Sequence, residues 1–376
     1  MTTSRPAARL GTVIHGPEVV DSGSALRLIR LLGRFGQVRA VLGGTMGRLA
    51  VIDAGLEGLI EIGRRRMPSA SVLELQAGSD AVVLLNEAKT RESGLSFGTS
   101  VAARAAASRP IKPLLQIDCG GRFVSELVCG AAGLGQEISN HLGFDFLACT
   151  SGCENDAGLS DADGGLSLEG DTTRRKLAGV LPGENISVNG LVVGKATNGR
   201  VEILAKDGRI TEIRGATIKL HGIEKLPPLD LEKAIIRSGD IRRTQAVPRL
   251  LEPCGRGAVL IDHSAESAFE DAGEAALAIT VGDDTTAIAG DILARLGVRV
   301  LGIVDGDLDN LSHQTQMPEG SLILKVRPGH DDIVGCRVKS VVFQGVSRIG
   351  CECGVEETIE AVIDLAGRDL ISLYRF

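Results

Sequence analysis

The chain has 376 residues, of which 43% are hydrophobic and 24% charged, and its formal net charge is −7. This length allows two or three domains with cores of their own. Aromatic residues make up only 2% of the chain, so the aromatic platforms that bind single-stranded nucleic acid are scarce. The acidic balance also argues against general nucleic-acid binding.

The sequence shows no sign of membrane association. No apolar run reaches the roughly 18 residues that a membrane-spanning helix needs. The first residues, MTTSRPAARLGTVIHG, lack the apolar core of a signal peptide. We therefore expect no membrane partner and a cytoplasmic location.

Residues 9–150 alternate short aliphatic strands with helical patterns. The stretches "VRAVLGG" and "AVVLLNEA" read as buried strands, and "SGSALRLIRLLGRFG" has apolar residues at helical spacing. Such alternation predicts an N-terminal α/β lobe whose mainly parallel sheet is covered on both faces.

The rest of the chain divides by composition. A polar linker at 151–182 precedes a small antiparallel β module at 183–222, indicated by Asn-Gly and Asp-Gly turns. Residues 223–255 read as a short helix ("DLEKAIIRSG") and a basic connector. Residues 256–376 return to alternation, with "VKSVVFQG" as one strand. The fold class predicted is α/β, with two Rossmann-like or Toprim-like lobes flanking the β module.

Aspartates follow two aliphatic strands in "ITVGDDTTAIAGDILARLGVRVLGIVDGDLDN", residues 279–310. A strand–helix–strand unit makes these strands parallel, so their carboxyl ends share one edge of the sheet. Carboxylates packed there repel one another unless a cation such as Mg²⁺ bridges them. The predicted metal ligands are Asp283, Asp284, Asp305 and Asp307.

Two hydroxyls at the start of the intervening helix, Thr285 and Thr286, are predicted to hold an anion beside that metal. A metal and an anion together suit phosphoryl or phosphodiester transfer, with Asp283, Asp305 and Asp307 as catalytic groups. The competing interpretation is structural, because Asp and Thr also cap helices and Asp-Gly forms turns.

The same stretch resembles part of a Toprim domain, the metal-dependent fold of topoisomerases and primases. "DGD" at Asp305 and Asp307 matches the Asp-x-Asp of that family. The chain departs from the pattern at Asp283 and Asp284, where Toprim members carry Glu.

Three loops of the N-terminal lobe follow strands and are expected to share an edge. In the loop "LGGTMGR", backbone N–H groups at the start of a helix can approach a phosphate. The residues predicted to bind such a phosphate-bearing ligand are Gly43, Gly44, Thr45, Gly47, Arg48, Lys89 and Arg91. His15 is a candidate catalytic proton shuttle. The alternatives are a tight turn for the glycine loop and a packed or capping role for His15.

The eight cysteines are read as free thiols rather than as a disulfide framework. Cys149 and Cys153 have the spacing of half a zinc site. Convergence of these two with Cys119 and Cys129 would hold an iron–sulfur cluster. Buried free cysteine is the default interpretation.

Several phrases together, including "VIHGPEVVDSG", "NEAKTRESGLSFG" and "VGDDTTAIAGDIL", resemble a family of uncharacterised proteins from methanogenic archaea. The resemblance covers most of the chain and implies a cytoplasmic, anaerobic setting, but it supplies no site residues.

The functional hypothesis is a protein that binds a divalent metal and a phosphate-bearing small molecule such as a nucleotide. If it is an enzyme, the expected class is a Mg²⁺-dependent phosphotransferase or phosphodiesterase. The alternatives are a cysteine-dependent metal or iron–sulfur protein of methanogen cofactor assembly and a nucleotide-binding regulatory subunit.

Overall fold

The structure is a computed structural model. It describes residues 8–64, 66–149, 166–169, 171–189, 191–224, 226–234, 236–239, 247–249, 255–262, 268–272, 275–306, 317–350 and 354–376. The chain divides into two units, Met1–Val247 and Pro248–Phe376. Unit 1 holds an α/β lobe and a β module, and unit 2 holds a second α/β lobe.

A seven-stranded sheet runs through the α/β lobe of unit 1. Its strands are β1 (Ala8–Ile14), β2 (Gly36–Leu42), β3 (Ile60–Glu61), β4 (Ala81–Asn86), β5 (Leu114–Asp118), β6 (Phe123–Val128) and β7 (Asp145–Leu147). The strand order is β3-β2-β1-β4-β5-β6-β7. Neighbouring strands are parallel except β5 and β6, which are antiparallel.

Helices cover both faces of this sheet. They are α1 (Glu18–Asp21), α2 (Ser24–Leu32), α3 (Arg48–Asp53), α4 (Pro68–Gln76), α5 (Arg91–Ala106) and α6 (Ala132–Leu142). One apolar cluster includes Leu28 of α2 and Ile138 of α6, and a second includes Val72 of α4 and Val101 of α5. Because each fully buried aliphatic side chain contributes about 1.5–3 kcal/mol, these two layers supply the main stabilisation of the lobe.

The β module consists of two four-stranded sheets. Its elements are β8 (Leu166–Glu169), β9 (Thr172–Leu177), β10 (Asn185–Val188), β11 (Leu191–Ala196), β12 (Val201–Lys206), β13 (Arg209–Arg214), β14 (Ala216–Ile218), α7 (Leu220–Glu224) and β15 (Ile236–Ser238). The orders are β14-β11-β10-β15 and β13-β12-β9-β8, and the described pairings are antiparallel. Side chains of both sheets share one apolar core. The β12–β13 hairpin turns through Asp207 and Gly208 with φ of 51° and 75°, as a type I′ turn requires.

A six-stranded sheet runs through unit 2. Its strands are β16 (Ala258–Asp262), β17 (Leu277–Val281), β18 (Arg299–Val304), β19 (Leu322–Val326), β20 (Arg348–Ile349) and β21 (Leu370–Arg375). Its helices are α8 (Ala268–Ala272), α9 (Asp283–Leu296), α10 (Asp331–Val341) and α11 (Val355–Ala366), followed by a 3₁₀ turn (Gly367–Asp369). The order is β20-β16-β17-β18-β19-β21, with four parallel inner strands and antiparallel edge strands.

The α/β class predicted from the sequence is confirmed. The predicted polar linker 151–182 contains strands β8 and β9, which pair within the β module. Two further elements were predicted wrongly. "VKSVVFQG" is not a strand, since its first residues belong to α10, where Val334 and Val338 pack one turn apart into the core. "DLEKAIIRSG" contains strand β15 in place of a helix, because Ile236 and Arg237 pair with β10. Among the described residues, no helix is long and apolar enough to cross a bilayer.

Candidate functional site

The strand order of unit 1 creates a crevice between two central strands. β1 and β4 are parallel neighbours in the middle of the sheet. The next strand beyond β1 is β2, and the next strand beyond β4 is β5, so the strand order runs in opposite directions from this pair. Open α/β sheets bind their ligands outside the carboxyl ends of the strands at such a reversal. The loop 15–18 follows β1 and the loop 87–89 follows β4, so both lie at this position.

A cleft of about 280 Å³ lies at that reversal. We call it the switch-point cleft. One wall is formed by the two loops and by Met46, Ser93 and Phe97. The opposite wall is formed by the β module, through residues 178–179, 187 and 237–239. Polar groups from distant parts of the chain therefore converge on one small concave site, as binding sites for small molecules generally require.

His15 is held in one orientation within the switch-point cleft. Its Nδ1–H donates a hydrogen bond to the Gly43 carbonyl oxygen over 3.0 Å, and its ring stacks on Phe97 with centroids 4.3 Å apart. Burial lowers the pKa of His15 below 6.5, so the ring is neutral at pH 7. A neutral ring that donates through Nδ1 leaves Nε2 as a proton acceptor.

Lys89 lines the switch-point cleft but is engaged by the β module. Its Nζ donates to Glu184 Oε1 over 2.6 Å, to the Ser238 carbonyl oxygen over 2.8 Å and to Ser238 Oγ over 3.1 Å. These contacts use all three donors of the ammonium group. Burial is the largest single influence on Glu184 and opposes its ionisation, but the hydrogen bonds from Lys89, the Leu181 N–H and Ser238, together with the Lys89 charge, outweigh it and lower the Glu184 pKa. Lys89 therefore ties the β4 loop to the β module.

The "LGGTMGR" loop follows β2 and leads into α3, as the sequence predicts. A Cβ at Gly43 would lie 2.6 Å from Val13 Cγ1, and one at Gly47 would lie 2.8 Å from Leu42 Cδ1. Close packing thus explains these two glycines. Gly44 needs its φ of 93°, Thr45 is exposed and Arg48 is buried. From this loop only Met46 lines the switch-point cleft.

Arg91 makes its contacts on another part of the lobe. Its Nη1 donates to Asp145 Oδ2 over 2.8 Å and to the Gly121 carbonyl oxygen over 3.2 Å. Its guanidinium also lies 5.4 Å from the centre of the Phe123 ring. Its contacts therefore secure the start of α5 to β6 and β7.

Three charged side chains of the cleft were not predicted as site residues. Glu18 and Glu87 follow β1 and β4, and Arg237 belongs to β15. Both Glu18 and Arg237 influence the pKa of His15, so they lie close to its ring. The β15 residues reach the cleft only through the folding of the β module. No local sequence signal indicates this, because Lys89 and Ser238 are 149 positions apart.

Below the cleft, a buried polar network fixes the ends of β4 and β5. Asn86 Nδ2 donates to Asp118 Oδ2 over 2.5 Å, and Gln116 Nε2 donates to Asn86 Oδ1 over 2.9 Å. Gln116 also donates to the Gly94 carbonyl oxygen of α5 over 2.8 Å. Burial raises the pKa of Asp118. These hydrogen bonds hold the floor of the cleft in one arrangement, although Gln116 Oε1 has no hydrogen-bond partner among the described residues.

In unit 2, the strands β17 and β18 are parallel neighbours in which Val281 lies opposite Ile303. Asp283 and Asp305, which follow them, therefore lie at the same edge. Asp283 Oδ1 accepts a hydrogen bond from the Gly306 N–H over 3.3 Å. Asp305 Oδ2 accepts one from the Gly329 N–H. Each carboxylate thus ties its strand end to a neighbouring loop.

The remaining predicted residues of this edge are placed only in part. Thr285 and Thr286 are buried, and Thr286 Oγ1 lies 2.8 Å from Thr280 Oγ1. Asp307 and the side chain of Asp284 lie outside the described part of the chain. Among the described residues, no group of three or more His, Cys, Asp or Glu side chains is arranged to hold a metal. The magnesium site stays a prediction.

Cysteines 129 and 149 form a disulfide, with Cα atoms 5.7 Å apart. The expectation of unpaired thiols is therefore wrong for this pair, whose sulfurs are not thiolates in this state. Cys119 is free, and burial raises its pKa to about 11. Cys153 lies outside the described residues. The zinc and iron–sulfur alternatives stay predictions for a reduced protein.

The sequence matches known proteins along most of its length. Residues 12–346 match the model of a family described as an uncharacterized protein conserved in archaea (DUF2117). An uncharacterized protein of Methanocaldococcus jannaschii is 39% identical over 336 residues, which cover 87% of this chain and 89% of the relative. No solved structure matches. The predicted resemblance to a methanogen family is confirmed.

Proposed function

We propose, on the premise that the chain belongs to this archaeal family, that unit 1 binds a phosphate-bearing small molecule in the switch-point cleft. The observation that carries the proposal is the convergence of His15, Glu18, Glu87 and Arg237 where the strand order reverses. This is the position at which α/β proteins of this architecture bind nucleotides.

The charges of the cleft favour a nucleotide over a simple anion. The planar guanidinium of Arg237 in the lining has the geometry that matches a phosphate, whereas Lys89 pairs with Glu184 at 2.6 Å and His15 is neutral. Glu18 and Glu87 are acceptors, which match ribose hydroxyls or the amino group of a base. A ligand with a phosphate at one end and hydroxyl or amino donors at the other satisfies both sets.

If the protein is an enzyme, His15 is the general base of the reaction. Its ring is fixed by Gly43 and Phe97, and its acceptor Nε2 can take a proton from a hydroxyl nucleophile. Phosphoryl or phosphodiester transfer is the reaction class that uses both a general base and a phosphate-bearing ligand. Without turnover, the same cleft would serve a regulatory nucleotide-binding protein.

The test is a binding screen of the full chain against nucleoside mono-, di- and triphosphates by calorimetry. Replacing Arg237 by Ala should weaken the best ligand by about tenfold or more, because a charge-assisted hydrogen bond contributes about 1.5–3 kcal/mol. The control, Arg209→Ala, changes an exposed arginine of the β module that does not line the cleft. Absence of nucleotide binding, or equal weakening in both variants, contradicts the proposal.

A second candidate function is a divalent-cation site at the carboxyl edge of the unit 2 sheet. It is favoured by the position of Asp283 and Asp305 after neighbouring parallel strands. Mg²⁺ is the expected ion, since it prefers carboxylate oxygens and accompanies phosphate chemistry.

Melting of the full chain in Mg²⁺ tests this site. Binding to the native state alone stabilises by roughly 2.7 kcal/mol at a hundredfold excess over Kd. We expect the wild-type melting temperature to rise and that of Asp305→Asn to ignore the ion. The opposite outcome is a wild-type melting temperature that millimolar Mg²⁺ does not change, together with an Asp305→Asn variant that is less stable with or without the ion. That outcome would show that these aspartates only cap a helix and close loops.

A further inference from the structure

A second concave surface of unit 1 lies beside α2 and has a volume of about 700 Å³. We call it the arginine groove. Four arginines line it, namely Arg27, Arg30, Arg34 and Arg122, together with His141. All five side chains are exposed. They come from three parts of the chain: α2 and the turn after it, the β5–β6 turn, and the end of α6.

The arginines have no acidic partner in the described part of the chain. Arg27 donates to Ser24 Oγ over 3.0 Å, and Arg122 donates to the Gly143 carbonyl oxygen over 3.4 Å. Arg30 and Arg34 make no ion pair with a described carboxylate. The acidic side chain in the lining is Glu87, whose Oε2 accepts a hydrogen bond from Ser22 over 2.7 Å. The lining therefore carries a large excess of positive charge.

Local helix electrostatics explain only part of this arrangement. Arg30 and Arg34 lie at the carboxyl end of α2, where cations interact favourably with the helix dipole. Arg27 and Arg30, one turn apart, repel each other, and Arg122 comes from a different element. Mutual repulsion among groups that converge on one groove is relieved when an anion binds between them.

The floor of the arginine groove is apolar. Leu28, Leu31, Leu142 and Phe144 line it, and the Arg122 guanidinium lies 5.0 Å from the centre of the Phe144 ring. A ligand that was only an anion would leave the partly exposed Leu31, Leu142 and Phe144 in contact with water. The volume is within the range of sites for organic ligands of about 300–1,000 Å³.

We propose that the arginine groove is a second binding site, which takes a small organic polyanion whose charged head contacts the arginines and whose apolar segment lies on Leu31, Leu142 and Phe144. Diphosphate and dicarboxylate heads share the required chemistry, since both match the planar fork of guanidinium. The site is additional to the nucleotide site proposed in the switch-point cleft. The lining of the arginine groove is mainly cationic and apolar, whereas the lining of the switch-point cleft carries both acidic and basic side chains.

The test uses calorimetry of the full chain with hexyl diphosphate, pyrophosphate and hexylmalonate. Hexyl diphosphate should bind more tightly than pyrophosphate, because only the former covers the apolar floor. The double variant Arg30→Gln, Arg34→Gln should weaken the affinity for hexyl diphosphate by about a hundredfold, because each lost guanidinium should cost about tenfold. Leu142→Ala should weaken hexyl diphosphate and leave pyrophosphate unchanged.

The matched control is Arg200→Gln, Arg209→Gln, which removes two exposed arginines from the β module. It should bind hexyl diphosphate like the wild type. Equal weakening in the control would mean diffuse attraction of anions and would overturn the proposal, as would absence of binding by both six-carbon probes. Binding of hexylmalonate alone supports a carboxylate head, and binding of hexyl diphosphate alone supports a phosphate head. Arg237→Ala should leave these affinities unchanged, which separates this site from the switch-point cleft.

Discussion

The neutral state of His15 has a consequence for stability. The folded pKa lies below the unfolded value of about 6.5. Below pH 6.5 the unfolded chain therefore binds a proton that the folded chain does not, so stability falls as pH falls until the folded pKa is passed. Above pH 6.5 this residue has no effect on the pH dependence.

His15→Gln should remove this share of the pH dependence. We expect urea denaturation at pH 7.5 and at pH 5.5 to show a smaller loss of stability in the variant than in the wild type. His141→Gln is the control, because His141 is exposed. An identical pH dependence in wild type and His15→Gln would contradict the lowered pKa of His15.

Lys89 lines the cleft, where the sequence places it, but its ammonium group forms an ion pair with Glu184. Its charge suggested a phosphate ligand, but it forms an ion pair with Glu184 in which both side chains are about 15% exposed (16% and 15%). At this exposure the pair is screened far less than a surface salt bridge. Its partner lies far along the chain, so composition and spacing could not reveal it.

Lys89→Met should destabilise unit 1 by about 2 kcal/mol at pH 7, because it leaves the Glu184 carboxylate poorly compensated. Because the folded pKa of Glu184 is lowered, the pair stabilises fully above the unfolded value of about 4.3. The advantage is lost as pH falls through the folded pKa. Denaturation curves of Lys89→Met and of the exposed control Lys195→Met should therefore differ at pH 7 and converge in acid. If Lys89→Met leaves the free energy of unfolding at pH 7 unchanged, the Lys89–Glu184 pair does not stabilise unit 1.

At the scale of elements, the sequence predicted what local patterns determine. Continuous aliphatic runs predicted β2, β4 and β17, and the Asp-Gly pair predicted the hairpin at Asp207. The same rules failed at 338–345. A run rich in β-branched residues favours a strand, but α10 places Val338 in the core of unit 2. Tertiary packing overrode the local preference there.

The packing of α5 on the floor of the switch-point cleft gives a test at this scale. A Cβ at Gly98 would lie 1.9 Å from Gln116 Oε1, and Gln116 is held by the buried network. Gly98→Ala should destabilise by about 1–3 kcal/mol, although Ala favours helices. On α6, Gly133 has open space around its Cβ position, so Gly133→Ala should stabilise by about 0.5 kcal/mol. The test is the melting temperature of both variants. If Gly98→Ala leaves the melting temperature unchanged, Gln116 is not held in a fixed position by the buried network.

At the scale of the whole molecule, the candidate site was only half predictable. His15 and Lys89 follow β1 and β4, and parallel topology places such loops at one edge. The sequence could not reveal that the β module closes the cleft with Arg237, because that contact depends on the fold of two sheets. It also could not show the arginine groove, whose side chains are assembled from α2, the β5–β6 turn and α6.

The central claim is that the switch-point cleft binds a phosphate-bearing ligand, and a fluorescence titration tests it most directly. The chain contains no tryptophan, and Met46 lines the cleft, so Met46→Trp places a single indole beside the ligand. Nucleotide addition should change its emission saturably, with the change lost when Arg237→Ala is added. Tyr374→Trp in unit 2, an exposed site, should not respond. A nucleotide that binds by calorimetry while the Met46→Trp emission stays constant would contradict the account.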